Sequence, residues 1–228
     1  MATKLIYPPS YEAMPLDGRP LRVEDHTFYA EAACYAEAAG EYELKRRKRT
    51  PTQVIWHRGG GLLPDGTTIA DVQQLVHFHM THKDGLRLTP YEFVITTGGR
   101  IQQAISLHRY GAHAKNLNST SIGVCSIGDF REAFAKQAQV EALVSLTALL
   151  CAACGIPAAA CIGHGEGGLA ATTDKTKLPG GKEECPGPGL SPHIVRRMVT
   201  RELALVTAGP DLAAYGVALG ATAPLAVA

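Results

Sequence analysis

A chain of 228 residues that is 46% hydrophobic can bury one good-sized core, and a single domain of about 150–180 residues with an extension at each end is the natural division. A net charge of +1 gives no global reason to expect a nucleic acid or an acidic partner. Six widely spaced cysteines, and a start in which Met1–Lys4 leads to Tyr7, Pro8 and Pro9 rather than to an apolar signal core, predict cytoplasmic synthesis without a signal peptide and thiols rather than bridges. No apolar run reads as a transmembrane segment.

In chain order, residues 1–24 carry Pro8, Pro9, Pro15 and Pro20 and read as an irregular arm. Phe28, Ala32, Tyr35 and Ala39 fall at helical spacing and predict one helix over 25–44. The run Lys45, Arg46, Arg47, Lys48 and Arg49 follows; a solvated linker is its plain reading and attraction to an anionic envelope the sharper one. Residues 1–50 thus form an arm, a helix and a linker, 51–205 the central domain, and 206–228 an Ala-rich tail broken by Gly216, Gly220 and Pro224.

The central domain opens with Gln53–His57, a buried-strand pattern ended by Gly59, Gly60 and Gly61. Thr67 or Thr68 can cap a helix over roughly 69–83, with Ile69, Val72, Leu75, Val76 and His79 on one stripe. Tyr91–Thr97 and Arg100–Ser106 read as strands joined at Gly98-Gly99, and Ser121–Ile127 as another buried strand. Ala135–Cys154 suits a long helix closed by Gly155 and Pro157, Ala160–Gly163 a short strand, and Ser191 with Pro192 the start of a last helix to about Leu205. Strands alternating with helices, plus a hairpin, predict an α/β domain around a mixed central β-sheet flanked by helices.

A hydrolytic zinc site needs three N, S or O ligands and one open position, and such ligands gather where strands give way to loops. His57 ends the first strand of the central domain, and His164 ends a late one between Gly163 and Gly165. Cys185 sits in Glu183-Glu184-Cys185-Pro186-Gly187-Pro188-Gly189, a rigid loop poorly placed for core packing and well placed to hold a metal. By spacing alone the three are scattered. His77, His79 and His82 look like packing and surface residues of a helix, and Cys151 and Cys154 like buried thiols at a helix end.

Four segments resemble, in order, the zinc N-acetylmuramoyl-L-alanine amidases, the family of phage lysozyme-type amidases, bacterial recycling amidases and peptidoglycan recognition proteins. They are the strand ending in His57; Tyr91-Glu92-Phe93-Val94-Ile95; His113-Ala114-Lys115-Asn116 with Ser121-Ile122-Gly123-Val124; and Gly163-His164 with Cys185-Pro186-Gly187-Pro188. The resemblance covers roughly residues 52–200. It implies the single-domain amidase fold, one zinc per chain on His57, His164 and Cys185, an active-site tyrosine at Tyr91, and a substrate contact at His113. It also implies peptidoglycan as the partner and the amide between N-acetylmuramic acid and L-alanine as the bond cut.

The chain departs from the phage pattern beside the metal. The lysine expected two residues before the cysteine is Glu183 here, with Lys182 one step earlier. Glu183 is the expected acid–base group, and Lys182, after a one-residue slip, a second candidate and substrate contact. The 165–182 loop, with two Gly-Gly pairs, reads as a flap or a plain insertion. The expected role is an endolysin that waits in the cytoplasm and acts on the cell wall after release. A cytoplasmic recycling amidase, a non-catalytic peptidoglycan-binding module and a polymerase-inhibiting relative are the competing readings.

Overall fold

The computed structural model describes residues 10–13, 21–26, 44–60, 68–81, 90–166 and 185–207. Its strands are β1 (Ser10–Ala13), β2 (Leu21–Asp25), β3 (Gln53–Arg58), β4 (Phe93–Ile95), β5 (Ile101–Gln103), β6 (Ser121–Ser126) and β7 (Cys161–Gly163). The helices are α1 (Val72–Thr81), α2 (Gln137–Cys154) and α3 (Pro192–Thr207). The strands form one mixed sheet in the order β1-β2-β5-β4-β6-β3-β7. Pairing is parallel at β2–β5, β4–β6, β6–β3 and β3–β7 and antiparallel at β1–β2 and β4–β5.

The central strands β4 and β6 are buried along their whole length, as their near-continuous apolar runs require. One face of the sheet, with Val54, Trp56, Phe93, Ile122 and Val124, packs on Leu143, Leu146 and Leu150 of α2 and on Val195 and Val199 of α3. The other, with Val94, Cys125 and Ile127, packs on Val72, Leu75 and Val76 of α1. Two polar groups lock α2 to the sheet. The Trp56 indole donates to Thr147 Oγ1 at 3.1 Å, and Gln139 Nε2 donates to the carbonyls of Ile127 at 2.8 Å and Ile95 at 3.3 Å. Helix α2, with mean hydropathy 1.4 over 18 residues, is long and apolar enough to cross a membrane. That is a matter of length and composition only, and the expectation of no membrane-spanning run stands beside it: 56% of the stretch is buried, with Ala and Leu positions packed on the sheet and on α3.

Most of the expected elements are present with trimmed ends. Gly155 closes α2 in the left-handed conformation (φ 67°), and its amide donates to Cys151 O. Gly99 (φ 81°) turns β4 into β5 where a Cβ would come within 2.6 Å of Ala138 O. Three expectations change. Helix α1 starts at Val72 rather than 69, because Asp71 Oδ1 accepts from Gln74 N at 3.0 Å and so caps it in place of a threonine. Within the arm 1–24, the described residues are not irregular, since Ser10–Ala13 forms β1 and residues 21–24 begin β2. In β2 the Leu21-Arg22-Val23-Glu24 alternation places Val23 in the core, beside Ile101 of β5. The basic run is solvated at Lys45, Arg46, Lys48 and Arg49 but not at Arg47, and it is bound to the domain rather than a loose linker. Arg47 N donates to His108 O at 2.7 Å, and the Arg47 side chain is buried. Of the helix expected over 25–44, Asp25 belongs to β2 instead and 27–43 lie outside the described residues, as do His82, the 167–184 part of the loop and the tail from 208.

Candidate metal centre

Strand β3 runs toward the loop side of the sheet and places His57 one residue before its end, 2% exposed. Neighbouring β7 runs parallel to it and delivers His164 just beyond Gly163. Cys185 opens the proline-rich segment that leads into α3. A Cβ on Gly163 would meet Pro192 Cγ at 2.6 Å, Pro186 Cδ at 3.0 Å and Cys185 O at 3.1 Å, so the bare glycine admits the proline loop against the strand end. The Gly165 amide then donates to Cys185 O at 2.8 Å and fixes the loop there.

As a result the ligand atoms of His57, His164 and Cys185 all lie within 4.8 Å of one another. The two imidazole rings stand 4.5 Å apart between centroids. Burial, with help from His113 and His164, holds the His57 imidazole well below its usual pKa and therefore neutral, the form that carries a free lone pair. Two imidazole nitrogens and one sulfur around a small gap suit a borderline-soft divalent ion of the zinc type. Beside Cys185 a groove of about 380 Å³ opens, lined by Arg131, Glu166, Pro186, Ser191 and His193 among others. The Arg131 guanidinium is engaged by the Asp129 carboxylate.

The Tyr91 ring lies 5.0 Å from the His57 ring. Burial, together with the Cys125 and Cys185 sulfurs, pushes the phenol well above its usual pKa, so Tyr91 keeps its proton and can only act as a neutral group. Its other side meets the His79 ring at 6.0 Å, which gives that histidine the packing role its position predicts. Among the other cysteines, Cys151 is buried with its sulfur 3.3 Å from that of Cys161. Glu183 and Lys182, the two acid–base candidates, lie outside the described residues.

His113, expected to touch substrate, is only 6% exposed and sits beneath His57, with its Nδ1 3.0 Å from His57 Nε2. Its Nε2 faces Ser121 Oγ at 3.3 Å and Glu92 Oε2 at 3.6 Å. Glu92 is in turn held by Arg47 at 2.9 Å, by the Gly111 amide at 3.2 Å and by the Gly123 amide at 2.6 Å. Arg47 also donates to the carbonyls of Leu107 and Ser119. Burial lifts the Glu92 carboxyl to about 7 against the pull of Arg47, and it lowers His113 to about 3. From sequence alone, Glu92 and Ser121 had no role at the site, and Arg47 counted only among the cations of the basic run. The available signal was a carboxylate inside the apolar run Tyr91–Ile95, where an unpaired charge is costly and a cationic partner must exist.

The profile of the N-acetylmuramoyl-L-alanine amidase family matches residues 47–188. Peptidoglycan-recognition protein 2 of Holotrichia diomphalia is 38% identical over 52 residues, 23% of this chain and 28% of that protein, so the match spans well under two thirds of the relative. Among solved structures, the endolysin of Thermus scotoductus bacteriophage Ph2119 superposes with a TM-score of 0.54 at 17% identity, covering 78% of this chain and 99% of that one. N-acetylmuramoyl-L-alanine amidase LysC from Clostridium intestinale gives 0.51 at 18% identity, covering 68% and 93%. At these identities the two structures establish the shared fold, a mixed sheet with helices on its faces. Because the family profile runs from the buried Arg47 past Cys185, and so takes in more than half of the sequence, the chain belongs to the N-acetylmuramoyl-L-alanine amidase family.

Proposed function

We propose that this chain hydrolyses the amide between N-acetylmuramic acid and L-alanine in peptidoglycan, with one zinc ion per chain held by His57, His164 and Cys185. The observation that carries the reading is the convergence of these donors within 4.8 Å at the carboxyl ends of parallel strands, where α/β sheets place their ligands. Zinc bound there would supply electrophilic activation of the scissile carbonyl and of the attacking water.

The protein's own groups supply the rest. Tyr91, whose phenol keeps its proton and whose ring lies 5.0 Å from that of His57, takes the role of hydrogen-bond donor to the oxygen that gains charge as the carbonyl is attacked. Glu183 takes the acid–base role, receiving a proton from water and passing it to the departing L-alanine amine, and Lys182 lies one residue away on the same loop. The groove beside Cys185 offers room for the stem peptide. Synthesis in the cytoplasm with action on the cell wall after release is the setting that fits this chemistry. The exposed residues Lys45, Arg46, Lys48 and Arg49 remain available to an anionic envelope, whereas Arg47 is committed to Glu92.

A second reading, a peptidoglycan-binding module without activity, draws on the recognition-protein relatives. The intact His, His and Cys set favours the enzyme. Digestion of purified sacculi decides between them: new L-alanine amino termini without new reducing sugars support the amidase, and reducing ends alone, or no product, refute it. Zinc analysis gives a parallel check, with about one ion per chain in the wild type and none retained in Cys185→Ser. Full activity of zinc-loaded Glu183→Ala would remove Glu183 from the mechanism.

A further inference from the structure

The hydrogen bonds beneath His57 can be assigned proton by proton. Ser121 has a single hydroxyl proton, and its Oγ lies 2.7 Å from Leu117 O, a carbonyl that can only accept. Ser121 Oγ therefore faces His113 Nε2, 3.3 Å away, as an acceptor, so the His113 proton sits on Nε2. Glu92 Oε2, on the same nitrogen at 3.6 Å, favours the same tautomer. His113 Nδ1 is then a bare acceptor, and His57 must donate to it from Nε2 across 3.0 Å. That leaves Nδ1 of His57 as the nitrogen with a free lone pair.

A second observation shows that the seat for His113 is built. A Cβ at position 123 would come within 2.6 Å of His113 Cγ and 2.7 Å of Cδ2, so the ring rests directly on the β6 backbone at its one glycine. Beneath it, Glu92 is clamped from three directions by Arg47 and the amides of Gly111 and Gly123.

We propose that His113 is a positioning residue that fixes the His57 tautomer, so that His57 presents Nδ1 to the metal, with Ser121 and the Arg47–Glu92 pair holding His113 in place. The proposal rests on the zinc reading above. Outer partners of metal-bound imidazoles typically change metal affinity by about 10–100-fold when removed.

The test is zinc affinity measured by competition with a chromophoric chelator, for wild type, His113→Phe and His113→Asn. Phe keeps a ring but offers no bond, and Asn returns a polar group near the former Nδ1. Expected is a loss of about 10–100-fold in His113→Phe, with most of it recovered in His113→Asn. Because His113→Phe can fail to fold, long-range proton–nitrogen spectra of zinc-loaded wild type are read independently. They should show His57 protonated on Nε2 and coordinated through Nδ1, with His113 protonated on Nε2. Coordination of His57 through Nε2, or wild-type affinity in folded His113→Phe, overturns the proposal while leaving the zinc reading intact. A wild-type protein that binds no zinc overturns both.

Discussion

Gly123 and Glu92 show how much of the site's shape is set by residues that touch neither metal nor substrate. Adding one methyl at position 123 forces the His113 ring off its seat, and overpacking of this kind costs about 1–3 kcal/mol. Gly123→Ala should therefore lower the denaturation midpoint and weaken zinc binding together; an unchanged midpoint by urea titration would refute the close packing. Glu92 makes a pH prediction. Its carboxyl rises from 4.5 to about 7 on folding, chiefly because burial disfavours the charge. A raised value in the folded state means the contribution is complete below pH 4.5 and is lost as pH climbs through about 7. The stability of metal-free wild type minus that of Glu92→Gln should thus fall by up to about 3 kcal/mol between acid and mildly alkaline pH. A flat difference across that range would show the carboxyl to be unperturbed. Gly123 gave no sign of this by type, whereas Glu92 stood out only as a carboxylate inside an apolar run; which groups pack on them emerges from the fold.

Among the elements, α2 and the β1–β2 hairpin show what each contributes to holding the strand ends in place. Gln139 of α2 is 1% exposed and bridges the carbonyls of Ile95 and Ile127 at the ends of β4 and β6. Gln139→Leu leaves both carbonyls buried without that donor and should cost about 1–3 kcal/mol, read by denaturant unfolding. The hairpin adds β2 to the open edge of β5, and Glu24 Oε2 accepts from Gln102 Nε2 at 2.8 Å. Gln102 Oε1 in turn accepts from the Val72 amide at 2.9 Å at the start of α1. Removing residues 1–26 should uncover the β5 edge and promote self-association, visible as a rise in scattering at concentrations where the full chain stays monodisperse. Equal scattering from both would refute a protective role for the hairpin. The main helices and strands were legible because periods of 3.6 and 2 are written locally in the apolar positions. The hairpin was obscured by four prolines close by, and the α1 start by two threonines that compete with Asp71 as caps.

At the scale of the molecule, the three proposed ligands come from positions 57, 164 and 185, and only the folded chain holds them together. Metal binding must then stabilise the fold. Zinc at a hundredfold excess over its Kd should add about 2.7 kcal/mol, and a chelator should remove it. Thermal melts with and without chelator should differ for wild type and coincide for His164→Ala; coincidence in wild type would count against the site. What the sequence by itself determined is the α/β class and most of the element order, because hydrophobic periods are local signals; the proposed ligand trio, scattered by spacing alone, was named through the family resemblance of the segments that carry it. What only the tertiary structure decided is the layer beneath the ligands. Arg47 reads as one of five exposed cations, and His113 as a group facing substrate. Their burial follows from the β4–β6 pairing, which brings Glu92 under His113 and makes a cation beside that carboxylate necessary.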